Sequence, residues 1–273
     1  MKPFVSAMEL EPWNGLYALF FTHKCTVRAF AWADGIFLLS FRNLHPPPKV
    51  LEIGLGCNMK YGAGASARLW RKLLPDARLF EAEFNEKCLA LHHNALVGMG
   101  ITPLGGDQNK ASDLARWAAA SNHAFDVIID DGSHKNRAIM GAFERLWPTI
   151  APGGLYFIED LHVGRTKDWD DTIGKAVMAD IINSWTEQLM VATRGWNNQV
   201  KKTTTTDATK EMRKRFPLPR GVKFITCSFG ICVIAKQSAG VHTVGHWKPG
   251  MGCAQKVRQD NLTATTAGTR ETA

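Results

Sequence analysis

The sequence predicts an α/β fold, a doubly wound, seven-stranded, mostly parallel sheet with a C-terminal antiparallel hairpin. Short apolar runs alternate with helical segments, which is typical of a sheet covered by helices on both faces. Three of these runs, VLEIGLG, FDVIIDDGSH and LYFIED, end in acidic residues or glycine. Two later runs alternate around Phe229 and Gly230, as in a hairpin. Ligands of open α/β sheets bind beyond the carboxyl ends of the strands, so these polar ends should converge on one pocket.

The strands and helices follow from local patterns. Val127, Ile128 and Ile129 form the apolar, β-branched run that a parallel strand buried on both faces requires. The seven strands are expected at residues 49–54, 78–83, 101–104, 125–131, 155–160, 222–227 and 231–236. Helices are expected at residues 65–74, 86–97, 111–120, 136–147 and 172–191. Asn85 should cap the second helix. Residues 152–154 should turn into the fifth strand, and the polar segment 194–220 should be an irregular loop.

Length and composition predict one main domain. The 273 residues, 45% of them hydrophobic and 21% charged, are ordinary for a soluble globular protein. We expect a helical lead-in over residues 1–48, an α/β domain over 49–237 and a disordered tail over 238–273.

Targeting signals and cysteine pairs are not evident in the sequence. No apolar run reaches the length of a membrane span, and Glu9 and Glu11 stand where the apolar stretch of a signal peptide would begin. We therefore expect a cytoplasmic protein without a membrane partner. The six cysteines are scattered and lack paired spacings, so we expect them to be reduced, with neither zinc nor disulfides.

The basic charge is concentrated in the C-terminal part. The net charge is +8, and from Arg194 onward 14 Lys or Arg stand against 4 Asp or Glu. Such a region can attract nucleic acid. Aromatic side chains do not alternate with these charges as base stacking would require, so we expect a solvated basic face and no nucleic-acid partner.

The glycine-rich turn after the first strand separates two classes of enzyme. Nicotinamide and flavin enzymes carry GxGxxG directly before the helix, but after Gly54 and Gly56 the third glycine is missing from its place. Glu52 instead gives the strand the ending E-x-G-x-G. Together with acidic residues at the ends of the second and fourth strands and Asp107 after the third, this resembles the class I S-adenosylmethionine-dependent methyltransferases.

Five motifs narrow the resemblance. In chain order they are LEIGLG, GAGASARLW, GDQ, IIDDGSH and PGGLYFIED. This combination resembles the macrocin and mycinamicin sugar O-methyltransferases and the related cephalosporin hydroxylase group. It covers residues 48–161 well and the following helix and hairpin more loosely. The resemblance implies a methyltransferase domain at 49–237 that uses S-adenosylmethionine and Mg²⁺ to methylate a hydroxyl of a small, sugar-containing or other secondary metabolite.

The resemblance also assigns residues. Gly54 and Gly56 would let the backbone approach the methionine part of the cofactor, with Glu52 fixing the loop. Glu83 would accept hydrogen bonds from the ribose hydroxyls. The other implied cofactor contacts are Ser66, Asp107, Gln108 and Asp130.

The metal ligands implied by the resemblance are Asp131, Glu159 and Asp160, and the implied general base is His134. The residue types fit this chemistry independently of the family, because a hard divalent cation prefers carboxylate oxygens and keeps positions open for substrate. A histidine nearby could take the proton of the attacking hydroxyl.

Alternatives remain open at several positions. Asp130 or Asp131 could cap the following helix, and either Glu81 or Glu83 could face the ribose, although Glu83 is nearer the end of the strand. A hydroxylase-like relative and a non-catalytic cofactor-binding module are the competing functions. A homo-oligomeric assembly also stays open.

Overall fold

A computed structural model describes residues 37–169, 171–191 and 206–239 of the chain. Within them a seven-stranded sheet has the strand order β3-β2-β1-β4-β5-β7-β6, with β1 to β5 parallel and β6 and β7 antiparallel. The strands are β1 (Lys49–Ile53), β2 (Arg78–Glu83), β3 (Ile101–Gly105), β4 (Phe125–Asp130), β5 (Ile150–Ile158), β6 (Val222–Ser228) and β7 (Ile231–Lys236). The predicted fold class is confirmed.

The described residues contain these α-helices: α1 (Ala65–Leu73), α2 (Glu86–Gly98), α3 (Ala111–Ala120), α4 (Asn136–Leu146), α5 (Met178–Val191) and α6 (Asp207–Arg215). The side chain of Asn85 accepts a hydrogen bond from the backbone N–H of Cys88, so α2 begins with the predicted cap. Leu114 and Trp117 of α3 and Ile139 and Phe143 of α4 are buried against one face of the sheet.

The central strand is buried on both faces, as its sequence predicts. Val127, Ile128 and Ile129 are fully buried. Ile128 belongs to the apolar cluster under α3, α4 and α5, whereas Val127 and Ile129 belong to the cluster on the α1 and α2 side. Because β4 lies between β1 and β5, its polar end is placed at the centre of the sheet edge.

Two boundaries differ from the sequence prediction. β5 begins at Ile150 rather than at residue 155, and its pairing with β4 shifts register between Phe125 and Val127, which absorbs the extra residues around Gly153. α5 begins at Met178 rather than at residue 172. Gly174 and Lys175 have positive φ angles of 53° and 73°, which are incompatible with a continuous right-handed helix.

The segment predicted as an irregular loop contains α6. Thr206 caps this helix by accepting a hydrogen bond from the backbone N–H of Thr209. Asp207 lies in its first turn, and Arg213, Lys214 and Arg215 lie in its last turn, where opposite charges complement the helix dipole. The prediction of a loop was wrong because it rested on the polarity of the segment alone. The capping residue and the placement of charges at the two ends favour a helix.

The prediction of reduced cysteines was also wrong for four of the six. Cys57 forms a disulfide with Cys88, and Cys227 forms one with Cys232. The first pair meets because β1 and β2 are adjacent parallel strands that end at the same edge, while the second pair lies directly opposite in the β6–β7 hairpin. The proximity of the first pair is not visible in the sequence spacing, whereas that of the second pair follows from the predicted hairpin of strands 222–227 and 231–236.

Most of the predicted lead-in and the predicted tail lie outside the described residues. Of the lead-in, residues 37–48 include a short 3-10 helix, Leu39–Phe41, and the side chains of Leu38 and Phe41 pack on the α1 side of the sheet. The domain boundaries therefore stay predictions. Among the described helices, none combines the length and the apolar character needed to cross a membrane.

Candidate active site

A cavity of about 760 Å³ opens at the carboxyl ends of β1, β2, β4 and β5. Small-molecule sites commonly have volumes of about 300–1,000 Å³. The predicted site residues that line it are Gly54, Gly56, Glu83, Asp107, Gln108, Asp131, His134, Glu159 and Asp160. Glu52, Ser66 and Asp130 do not line it. Ser66 is half-buried in the first turn of α1, and the other two carboxyl groups are buried beneath the cavity.

The cavity is bordered by two backbone turns in direct contact. Gly54 has a φ of +111°, and a Cβ there would lie 2.2 Å from the carbonyl oxygen of Asp131. A Cβ on Gly132 would lie 2.4 Å from the Oε1 of Gln108. At Gly54, glycine is required both by the backbone conformation and by the approach of the Asp131 carbonyl. The turns after β1 and β4 therefore form one close-packed cradle.

Glu83 joins the first turn to the second strand. Its Oε2 accepts a hydrogen bond from the backbone N–H of Leu55 at 3.1 Å, and its Oε1 accepts one from that of Asn85 at 2.7 Å. The carboxyl group of Glu83 lines the cavity, whereas Glu81 does not. This placement favours Glu83 over Glu81 as the ribose contact, which stays a prediction.

Glu81 and Glu52 instead form a buried pair beneath the turn. The two residues are partners in the β1–β2 register, and their side chains are hydrogen-bonded. Burial, followed by the nearby Glu52 carboxylate, raises the pKa of Glu81 well above its ordinary value. Trp70 Nε1 donates a hydrogen bond to Glu52 Oε2 at 2.9 Å. Glu52 thus supports the turn from below.

Gln108 connects the loop after β3 to the loop after β4. Its Nε2 donates to Asp130 Oδ1 at 2.7 Å, and its Oε1 accepts from the backbone N–H of Ser133 at 3.0 Å. Asp130 also accepts a hydrogen bond from the hydroxyl of Tyr156 at 3.2 Å. Burial raises the pKa of Asp130 to about 7, against the opposing effect of these hydrogen bonds. Asp130 is therefore placed as a support of the loop rather than as a wall of the cavity.

Asp131, His134 and Asp160 come together at the β4 and β5 end of the cavity. Each offers one ligand atom, and the three atoms lie within 4.8 Å of one another. His134 Nε2 is 3.7 Å from Asp160 Oδ2. Glu159, the other predicted metal ligand, is buried and lines the same cavity but is not part of this three-residue cluster.

The backbone at the cluster adopts an uncommon conformation. His134 and Asp160 have φ angles of 53° and 52°, which residues other than glycine rarely adopt. Such conformations concentrate at functional sites because the surrounding structure must hold them. Within the described chain, His134 Nδ1 is buried and has no hydrogen-bond partner, which is unusual for a buried polar atom away from a functional site.

Trp169 also lines the cavity, a position that the sequence did not predict. Its ring centroid is 6.3 Å from that of His134, in an edge-on arrangement, and the residue is 39% exposed. It lies in a 3-10 helix, Lys167–Trp169, within a segment that carries no helical or strand periodicity. Only the folded chain brings it to the cluster.

Curated relatives share part of this sequence. The chain is 38% identical over 115 residues to the mycinamicin VI 2''-O-methyltransferase of Micromonospora griseorubida, a match that covers 41% of this chain and 27% of the relative. It is 37% identical over 115 residues to the demethylmacrocin O-methyltransferase of Streptomyces fradiae, with the same coverages of 41% and 27%. The matched part thus spans about a quarter of either relative. No protein-family model matches the chain.

Solved structures share the fold over most of the chain. The MycE methyltransferase from the mycinamycin biosynthetic pathway, in complex with Mg and SAH, superposes with a TM-score of 0.62 at 22% sequence identity, covering 85% of this chain and 56% of that one. The chain has the class I methyltransferase fold. A second structure of MycE, in complex with Mg, SAH and mycinamycin VI, gives a TM-score of 0.61 at 23% identity. The resemblance stated from the five motifs is therefore confirmed.

The residues present fit both a cofactor of this type and a divalent cation. Gly54 and Gly56 line the cavity without side chains, so a ligand can approach the backbone of this turn, and the Glu83 carboxylate lines the same cavity as a hydrogen-bond acceptor. The Asp131 and Asp160 carboxylates supply the hard oxygen ligands that Mg²⁺ prefers. Acidic groups gathered this closely repel one another without a cation or a shared proton.

The Glu52–Glu81 pair makes stability depend on pH. The folded state retains a proton on Glu81 that the unfolded chain releases above the ordinary glutamate pKa of 4.5. The free energy of unfolding should therefore fall as pH rises through that value toward the raised folded pKa, with a slope approaching about 1.4 kcal/mol per pH unit. Glu81→Gln, which has no proton to lose, should make this slope shallower in thermal unfolding measured from pH 5 to pH 8, leaving the part that the raised pKa of Asp130, about 7, contributes. Parallel profiles for the variant and the wild type would contradict the prediction, and Glu144→Gln on the exposed face of α4 is the control.

Proposed function

We propose that this protein is an S-adenosylmethionine-dependent, Mg²⁺-dependent O-methyltransferase that acts on a hydroxyl of a small, sugar-containing metabolite. The observation that carries the proposal is the cluster of Asp131, His134 and Asp160 beside the glycine cradle in one cavity. The glycine turn at Gly54 fits the methyl donor, S-adenosylmethionine. The three-residue cluster fits the hydroxyl that accepts the methyl group. The named activities of the curated relatives, O-methylation of glycosylated metabolites, support the same reaction.

The cofactor would lie along β1 and β2. Gly54 and Gly56 admit its methionine part, Glu83 accepts from the ribose, and Asp107 and Gln108 border the adenine. Bound there, S-adenosylmethionine supplies an electrophilic methyl group on a positive sulfur. The hydrogen bonds from Leu55 and Asn85 fix the Glu83 carboxylate before the cofactor arrives, which lowers the ordering cost of binding.

The acceptor hydroxyl would lie at the other end of the cavity. A divalent cation held by Asp131 and Asp160, with Glu159 adjacent, supplies positive charge that stabilises an oxygen as it loses its proton. His134 takes that proton through Nε2, the ring nitrogen that lies beside Asp160 in the cluster.

A hydroxylase-like activity is less well supported. Non-haem iron oxygenases use two histidines and one carboxylate, whereas this cluster has one histidine and two carboxylates. Such a set suits Mg²⁺ or Mn²⁺ better than Fe²⁺. A non-catalytic module is disfavoured because binding the cofactor alone gives no reason to hold His134 and Asp160 in uncommon backbone conformations.

The test is a methyl-transfer assay with glycosides bearing free hydroxyls. S-adenosylmethionine consumption and product mass are followed with Mg²⁺ and with EDTA. Methylation on oxygen that EDTA abolishes supports the proposal. A product methylated on nitrogen or carbon, or calorimetric binding of a nicotinamide cofactor in preference to S-adenosylmethionine, would overturn it.

The Cys57–Cys88 disulfide should strengthen cofactor binding. Cys57 lines the cavity directly after Gly56, and Cys88 lies in the first turn of α2, so the bond joins the two sides of the cofactor crevice. The Cys57→Ser, Cys88→Ser double variant should bind S-adenosylmethionine about three- to tenfold more weakly in calorimetry, because the turn must then be ordered on binding. The Cys227→Ser, Cys232→Ser double variant is the matched control. Equal affinities for wild type and both variants would disprove the effect.

The partners and the oligomeric state of the protein also stay proposals. We propose that the protein acts on a soluble acceptor, without a membrane or nucleic-acid partner, either as a monomer or as a homo-oligomer. Size-exclusion chromatography with light scattering determines the assembly.

A further inference from the structure

Asn136, the first residue of α4, is buried at a point where three segments of the chain meet. Its Nδ2 donates a hydrogen bond to the carbonyl of Gly164 at 2.9 Å, and its Oδ1 accepts one from the backbone N–H of Met178 at 2.7 Å. One side-chain amide thus joins the loop after β4 to the segment after β5 and to the start of α5.

Gly164 permits this contact because it has no side chain. It is buried in the 3-10 helix Val163–Arg165, which follows the metal-binding candidates at the end of β5. A Cβ on Gly164 would lie 2.7 Å from the Oδ1 of Asn136, closer than real Cβ atoms approach. The backbone of this segment can therefore reach the amide only while residue 164 is glycine.

Asp171 forms a second link between the same two segments. Its Oδ1 and Oδ2 accept hydrogen bonds from the backbone N–H groups of Asn136 and Arg137, at 2.6 and 3.2 Å. These groups lie in the first turn of α4, where no helical carbonyl can accept them. Lys135, the residue before the helix, supplies no side-chain cap. A carboxylate that follows β5 in the chain therefore caps the helix that follows β4.

Both links lie close along the chain to the three-residue cluster. A single residue separates His134 from Asn136, and Asp160 shortly precedes Gly164. Trp169, whose ring centroid is 6.3 Å from that of His134, lies between the two links. The separation of His134 Nε2 and Asp160 Oδ2, 3.7 Å, therefore depends on how the two segments are held together.

The local backbone alone does not explain the arrangement of the cluster. His134 and Asp160 have φ angles of 53° and 52°, and such conformations persist only where the surrounding structure holds them. Within the described residues, His134 Nδ1 has no hydrogen-bond partner, so the ring is not anchored through that atom. Asn136 and Asp171 supply the anchorage through the backbone instead.

We propose that Asn136 and Asp171 are positioning residues for the proposed reaction. They hold the segment that carries Asp160 and Trp169 in register with His134. Neither Asn136 nor Asp171 lines the cavity, so both act through the backbone rather than on a ligand. A displacement of about 1 Å in a reacting set can cost about 100-fold in rate. This inference rests on the proposed function and adds two residues that set the geometry of its site.

The first test measures Mg²⁺ affinity of the full chain by calorimetry in the presence of S-adenosylhomocysteine. Asn136→Ala, which removes both side-chain links of the amide, should weaken Mg²⁺ binding by about tenfold or more, because groups that orient metal ligands typically contribute that much. Its affinity for S-adenosylhomocysteine should stay near that of the wild type, since the turn at Gly54 and the Glu83 carboxylate are unchanged. An unchanged Mg²⁺ affinity in Asn136→Ala would overturn the proposal.

Two substitutions at Asp171, which is half-buried, test the second link. Asp171→Ala should also weaken Mg²⁺ binding, whereas Asp171→Asn keeps an oxygen that accepts from the start of α4 and should restore most of the affinity. Thr206→Ala removes a cap of the same kind from α6 and is the matched control. It should lower thermal stability and leave Mg²⁺ affinity unchanged. If it weakens Mg²⁺ binding as much as Asp171→Ala does, the loss of any helix cap has this effect and the proposal is wrong.

Gly164→Ala separates positioning from a general loss of stability. Its added Cβ meets the Asn136 amide, so the substitution alone should displace the segment and weaken Mg²⁺ binding by about tenfold. In the Asn136→Ala background the amide is absent, so Gly164→Ala should add little to the loss. The two effects should therefore be strongly non-additive, as expected for side chains in direct contact. Additive effects would overturn the proposal.

Methyl transfer, assayed in parallel, separates this proposal from the proposed function. Asn136→Ala should lower the turnover number while leaving the KM for S-adenosylmethionine unchanged. Weakened Mg²⁺ binding in the variants, with no methyl transfer from any protein including the wild type, would support the positioning roles while rejecting the reaction. Methyl transfer by the wild type, with normal Mg²⁺ affinity and turnover in every variant, would support the reaction while rejecting the positioning roles.

Discussion

Asp131→Asn should lower the turnover number for O-methylation by at least about 100-fold and should weaken Mg²⁺ binding in parallel. Asp131 lies directly after β4, and its carboxylate is one of three ligand groups that approach within 4.8 Å. A bound cation contributes several kcal/mol of charge stabilisation, so losing it costs two or more powers of ten in rate. The change from carboxylate to amide removes the charge while keeping the shape of the side chain.

The measurement pairs steady-state kinetics across a Mg²⁺ titration with calorimetry of S-adenosylmethionine binding. The cofactor affinity of Asp131→Asn should stay near that of the wild type, because Gly54, Glu83 and Asp107 are unchanged. Glu144→Gln, which removes an exposed carboxylate on α4, is the control for net charge. Normal turnover in Asp131→Asn, or activity that EDTA leaves undiminished, would reject the metal role.

Much of the fold was predictable because its signals are local. A buried parallel strand needs a continuous β-branched run, and Val127, Ile128 and Ile129 supply one directly before the Asp130 and Asp131 pair. The alternation of such runs with helices, together with the capping residue Asn85, gives the order of elements. Because parallel strands end at a common edge, the convergence of Glu83, Asp131 and Asp160 on one cavity follows from the same reasoning.

The features that escaped prediction depend on contacts between distant segments. Cys57 and Cys88 are separated by 31 residues, and only the pairing of β1 with β2 brings them together. Trp169 reaches His134 from an irregular segment. The placement of Asp130 beneath the cavity depends on Gln108 and Tyr156, which approach it from two other elements. Such details require the tertiary structure.

The sequence and the structure suggest different roles for His134. The family resemblance makes it the general base and assigns the metal to Asp131, Glu159 and Asp160. In the structure, His134 rather than Glu159 is grouped with the two aspartates. A ring that contributes Nε2 to the metal would leave the buried Nδ1 as its second nitrogen, whereas a general base needs a nitrogen that is free of the metal. The two roles predict different effects on metal affinity.

His134→Ala should lower the turnover number by about two to four orders of magnitude while leaving both S-adenosylmethionine and Mg²⁺ affinity nearly intact, because a general base acts mainly in the transition state. Added imidazole should restore part of the rate, since the cavity left by the ring can admit a free base. Glu159→Gln is the comparison variant: it should weaken Mg²⁺ binding, and imidazole should not rescue it. If His134→Ala instead loses Mg²⁺ binding and Glu159→Gln retains it, His134 is the third metal ligand and the proton leaves by another route.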